Sequence, residues 1–138
     1  MRSLQRKQRL DLPKLQSFSE RALQLCLGLR KPQPAQLTRL SHIHILLISD
    51  RKMAALHKEF LNLRGATDVI TFQHGEIFVS VETALRNANR FGTSAENEVR
   101  LYIVHGLLHL AGFDDTTPAR AREMERVQTR VLSLADGL

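Results

Sequence analysis

Tryptophan is absent, tyrosine occurs once and phenylalanine six times, so aromatic residues make up only 5% of this 138-residue chain. Proteins that hold single-stranded nucleic acid by stacking usually display several aromatic platforms, so any such grip here is expected to be mostly electrostatic. A single cysteine, Cys26, excludes an internal disulfide and suits a reducing compartment. Within Leu23-Gln-Leu-Cys26-Leu it reads as a small buried apolar residue. No apolar run approaches membrane-spanning length, and the charged N-terminus lacks the apolar core of a signal peptide. The expected address is therefore the cytoplasm, with no membrane partner. Internal repeats, low-complexity linkers and glycine-rich phosphate loops are also missing, which leaves no pattern for a small organic cofactor.

What remains is the composition of an ordinary globular protein, 43% hydrophobic and 25% charged. The length suits one domain spanning residues 1–138, with enough residues for a real core. Twenty Lys and Arg against fourteen Asp and Glu give a formal charge of +6. With an isoelectric point near 10.2, that balance favours a polyanionic partner, nucleic acid first.

The chemistry concentrates in His105-Gly-Leu-Leu-His109-Leu-Ala-Gly112-Phe-Asp114-Asp115. Histidines four apart on a helix lie about 40° apart around its axis, so both rings leave one face and can reach one ion. Gly112 allows the left-handed backbone that ends a helix, and the chain can then return a third donor, most simply Asp115. Three protein ligands around Zn2+ leave a fourth position open, the arrangement of a catalytic site. A carboxylate donor also widens the choice toward Mn2+. The competing reading is a pair of core histidines satisfied by packing. Gly106 stands where a zinc peptidase of the His-Glu-x-x-His type carries its glutamate, so the usual base of peptide hydrolysis is missing.

Periodicity places these residues in a scaffold. Leu15, Phe18, Ala22, Leu25 and Leu29 predict a helix over 13–29, with Gly28, Pro32 and Pro34 as stops. Residues 40–48 alternate as a strand with apolar residues on both faces, suggesting an interior strand. His42 and His44 share one of its faces without a third ligand, and read as structural. A helix begins at Asp50, with His57 in its midst as a surface or packing residue. Val69–Phe72 and Ile77–Val81 form a hairpin, with Thr67 and Asp68 at its entrance to cap a turn or approach the cleft. Ser80 caps a helix that ends at Gly92, and Thr93-x-x-Glu96 is a capping box for the site helix over 95–111. Pro118 opens a last helix whose core stripe is Met124, Val127, Val131 and Leu134. Arg122, Arg126 and Arg130 form a parallel row, facing either RNA phosphates or solvent.

The site segment resembles the His-Gly-x-Leu-His-Leu-x-Gly-Tyr-Asp-His signature of the YbeY-type rRNA maturation factors, bacterial zinc endoribonucleases. Leu61-Asn62, Thr67-Asp68-Val69-Ile70-Thr71-Phe72 and Gly75-Glu76-Ile77 are similar to that family's Leu-Asn, Pro-Thr-Asp-Val-Leu-Ser-Phe and Gly-Asp-Ile segments, in the same order. The likeness runs from about Leu10 to Val131. It implies His105 and His109 as metal ligands and catalytic residues, and a first edge strand within residues 1–10. Two departures stand out. The family's third histidine falls at Asp115, and a shorter stretch before Thr67 leaves Arg64 nearest to the place of the family's arginine.

The expected fold is α+β, a mixed sheet covered by about five helices with the site helix central. The resemblance implies a metal-dependent endoribonuclease that cleaves single-stranded RNA in rRNA maturation, at the 16S 3′ end, and in ribosome quality control. The implied partners are rRNA and the ribosome or its subunit. Two other readings are a zinc metallopeptidase-like hydrolase and a ribosome-assembly RNA-binding protein whose altered site no longer catalyses.

Overall fold

The computed structural model describes residues 1–5, 9–29, 37–61 and 67–136. Among the described residues four strands and five helices follow in the order β1 (Arg2–Ser3), α1 (Leu12–Leu27), β2 (His44–Ile48), α2 (Asp50–Leu61), β3 (Val69–Phe72), β4 (Glu76–Ser80), α3 (Val81–Phe91), α4 (Ala95–Leu110) and α5 (Pro118–Asp136). The sheet order is β1-β2-β4-β3, parallel except for the β3–β4 hairpin. This is the expected mixed α+β sheet, with β2 in its interior and a short first strand at one edge.

Alternation along the strands sends side chains to two different layers. Ile45, Leu47, Ile77 and Val79 join Leu15, Phe18, Val99, Ile103 and Leu107 in the main core, under α1 and α4. On the opposite face Ile48 and Ile70 pack with Met53 and Leu56 of α2 in a smaller cluster. Being covered on both faces explains why β2 carries apolar residues in both phases.

Helix α4 is central, in contact with α1, α3, α5 and the β3–β4 hairpin. Ten of its residues are buried. From Leu101 to Leu110 only Leu101, His105 and His109 stay half-exposed, one stripe at four-residue intervals. Burial of the other faces therefore leaves the two imidazoles at the one open side.

Local chemistry sets the boundaries. Asp11 and Ser80 accept from the backbone N–H groups of Lys14 and Thr83 as N-caps, each worth about 1 kcal/mol. Gly92 ends α3 at φ 71. The hairpin turn needs Gly75, at φ 106, where a Cβ would come within 2.6 Å of the His42 carbonyl oxygen.

Three local expectations are corrected. Residues 37–39 form a 3-10 turn and the strand begins at His44, shorter than the apolar pattern indicated. The N-cap of α4 is Ser94, accepting from Asn97 N at 3.1 Å. Thr93 instead donates to buried Glu98, which also accepts from Tyr102, so the polar pattern serves a side-chain network and not a capping box. On α5, Leu134 is half-exposed and Ala135 takes the core position. The core direction through Met124 and Val131 passes through residue 135, one place beyond the leucine.

The starts of α2 and α3 are tied together. Asp50 accepts from Ser80 Oγ at 2.5 Å and Thr83 Oγ1 at 2.7 Å, and it pairs with Arg86. Glu82 accepts from the Asp50 backbone N–H at 2.8 Å. Burial alone would raise the Asp50 pKa, but the hydrogen bonds from Arg86, Ser80 and Thr83 outweigh it and hold the carboxyl below its ordinary value.

Candidate metal centre

Helical spacing brings the rings of His105 and His109 together, with centroids 4.6 Å apart and planes nearly perpendicular. Their Nε2 atoms face one another at 3.1 Å. Two nitrogens each 2.0–2.1 Å from one tetrahedral ion would lie about 3.3 Å apart, so the spacing fits. Beyond α4 the chain closes on itself through Gly112 N to His109 O and Phe113 N to Leu108 O, with Gly112 at φ 98. That turn returns Asp115, and the donor atoms of His105, His109 and Asp115 all lie within 4.8 Å of one another. Among the described residues this is the one such group of three.

The two neighbouring aspartates have separate jobs. Asp114 accepts from Thr116 N and Oγ1 and from Arg120, holding the entrance to α5. Asp115, exposed, is the one that joins the histidines.

Proton placement on the rings suits a cation. His105 Nδ1 lies 2.9 Å from Gln128 Oε1; an imidazole proton on Nδ1 has its acceptor there, and that tautomer leaves the Nε2 lone pair for a cation. At 3.1 Å the two Nε2 atoms are close enough to share one proton or one cation. Burial first, and the adjacent His105 second, hold the His109 pKa below its ordinary value against the opposing pull of Asp115. A neutral imidazole is the metal-binding form. The donor set thus fits a divalent ion.

Gln128 is a site residue that the sequence reading missed. Its signal was a polar residue on the apolar stripe of α5, four after Met124 and three before Val131.

The pair opens on a cleft of about 350 Å³ walled by His57 and Leu61 of α2, Asp68, the β3 strand and the two histidines. His57, expected only at the surface or in packing, therefore faces the site. Asp68 does both things foreseen for it: its carboxylate accepts from Val69 N at 2.8 Å, and it lines the cleft. Strand β3 is an edge, paired only with β4 among the described residues. Since Ser80 N donates to Asp68 O, antiparallel alternation turns the backbone groups of Val69 and Thr71 away from β4, toward the free edge.

Gly106 packs α4 against the hairpin. A Cβ there would meet Ile77 Cγ2 at 2.8 Å and Thr71 Oγ1 at 2.9 Å, so no larger residue fits without displacement. Arg64 lies outside the described residues. His42 and His44 are exposed, with ring centroids 6.0 Å apart, and belong to no metal-binding group among the described residues. Arg122, Arg126 and Arg130 are exposed, on the face of α5 opposite Met124 and Val131 and so away from Gln128.

The Endoribonuclease YbeY family model matches residues 1–136. A relative of that name from Bacteroides thetaiotaomicron is 32% identical over 103 residues, covering 70% of this chain and 75% of its own length. Another, from Nautilia profundicola, is 37% identical over 97 residues, covering 62% and 70% respectively. A solution structure from Thermotoga maritima is similar in fold, with a TM-score of 0.66 at 23% identity over 99% of this chain and 88% of that one.

Proposed function

The chain belongs to the YbeY endoribonuclease family, and from that premise we propose that it is a metal-dependent endoribonuclease, one catalytic domain over residues 1–138, that cleaves single-stranded RNA. Its place is rRNA maturation, including the 16S 3′ end, and ribosome quality control. The partners are rRNA and the ribosome, in the cytoplasm.

The observation that carries this reading is the facing pair of Nε2 atoms 3.1 Å apart with Asp115 beside them. His105, His109 and Asp115 would hold the ion, zinc first and manganese as the alternative. When bound, it supplies Lewis acidity toward water and phosphoryl oxygen. Gln128 Oε1, accepting from Nδ1, would hold His105 in the tautomer whose Nε2 binds a cation. Asp68 and the free edge of β3 bound the cleft along which a strand would lie, and a net charge of +6 favours its phosphates. Arg64 is assigned the role of stabilising charge that develops on the phosphate. The peptidase alternative is disfavoured by Gly106, since the space its side chain would need is filled by Ile77 and Thr71.

The test is elemental analysis of the purified protein, followed by incubation with single-stranded RNA. About one transition-metal ion per chain and cleavage abolished by a chelator or by His105→Ala are expected. A stoichiometric ion with RNA bound but never cut would replace this reading with that of an assembly protein.

A further inference from the structure

At the hairpin, the sheet face covered by α2 ends in an aromatic cluster. Phe72 meets Phe60 and Phe78 edge-on, with centroids 5.3 and 5.7 Å away, and stacks with His74 at 5.5 Å with planes within 17°. Three of the six phenylalanines of an aromatic-poor chain are therefore gathered at one place. Packing accounts for Phe72 and Phe78, which lean on the small cluster of Ile48, Met53, Leu56 and Ile70. It does not account for Phe60, 56% exposed, or for the His74 side chain, 66% exposed. Both place ring surface in water beside a half-buried aromatic.

Phe72 and Gln73 line the same cleft as His105 and His109. Phe72 thus belongs both to the aromatic cluster and to the wall of the cleft that holds the donor pair, and Phe60 and His74 extend that wall outward through their contacts with it. Building on the endoribonuclease reading, we propose that Phe60, Phe72 and His74 form a stacking subsite for an unpaired nucleobase of the RNA strand next to the cleavage position. Every base has a π-face, so such a platform binds without demanding a sequence. Glu76, 2.5 Å from His74 Nε2, holds the imidazole in its stacked orientation. Bases in a duplex are already stacked on their neighbours, and the subsite selects against them. A chain poor in aromatics thus places half of its phenylalanines where stacking would serve.

The test uses the full chain and a short single-stranded 2′-O-methyl oligonucleotide, resistant to cleavage, that carries one 2-aminopurine. Stacking quenches the probe. A Phe60→Ala/His74→Ala variant should bind about tenfold more weakly and lose the quench, with its metal content unchanged. His74→Tyr should keep both affinity and quench, which separates stacking from the charge of the imidazole. An oligonucleotide with abasic positions should not distinguish parent from variant. Parental affinity and quench in the double variant would overturn the subsite alone, provided the parent cuts RNA. A parent that neither binds nor cuts single strands would overturn the nuclease reading, and the subsite with it.

Discussion

His105 Nδ1 and Gln128 Oε1 lie 2.9 Å apart, so the last helix places an acceptor where a proton on Nδ1 would leave the other nitrogen to an ion. The contact joins α4 to α5 at the one stripe of α4 that is open. A metal-ligating histidine ordinarily donates its other N–H to such an acceptor, and loss of that acceptor lowers metal affinity.

Gln128→Leu should therefore weaken zinc binding by about 10- to 100-fold while leaving the fold intact. Competition against a chromophoric chelator measures this directly. Gln128→Glu, which keeps an acceptor and adds charge, should bind at least as tightly as the parent. Equal affinities in parent and leucine variant would remove Gln128 from the site.

Gly106→Ala should destabilise the protein in spite of alanine's advantage in helices. The added methyl lies 2.8 Å from Ile77 Cγ2 and 2.9 Å from Thr71 Oγ1, both on short side chains branched at Cβ. Overpacking of this kind costs about 1–3 kcal/mol, against about 1 kcal/mol gained from propensity. Urea unfolding should show a lower midpoint with an unchanged slope, and a raised midpoint would contradict the packing described.

Asp50 should make the protein acid-labile. Its folded pKa lies below the ordinary value of 3.8, so its contribution is fully present above that value and disappears as pH falls through the lower folded pKa. Asp50→Asn should unfold more easily at neutral pH, yet lose less stability than the parent on acidification. Urea midpoints across the acid range would show two curves converging toward low pH. Parallel curves would exclude Asp50 as the cause.

Asp115 sets the charge of the donor group. A carboxylate in place of an imidazole lowers the charge of the loaded zinc site from +2 to +1, so the acidity that the ion confers on water should be weaker. RNA cleavage by the parent should peak at higher pH than cleavage by Asp115→His. Superimposable profiles would show that Asp115 is not a ligand.

Much of this was legible because it is local. Histidines four apart, Gly112 before two aspartates, and Ser80 and Gly92 bracketing α3 are short-range patterns with one physical solution each. The hairpin followed from two β-rich runs around Gly75. What the sequence obscured depended on partners far along the chain. Gln128 meets His105 across 23 positions. A local competition was hidden too, because Glu98 is drawn into the network with Thr93 and Tyr102 and the cap falls to Ser94. Gly106 looked like a missing base until Ile77 and Thr71 showed that its absent side chain has no room. The aromatic cluster needed both the hairpin and the end of α2 to become visible.

The order of these residues along the chain has a bearing on biosynthesis. His105, His109, Asp115 and Gln128 all follow the cleft's other wall, so translation completes α2 and the hairpin before any metal donor has been made. A chain that stops short of α4 lacks both histidines and the central helix that forms one wall of the cleft, and one that stops before Gln128 lacks the contact to His105 Nδ1. The cleft and its candidate donor set are thus completed together, by α4, α5 and the turn between them.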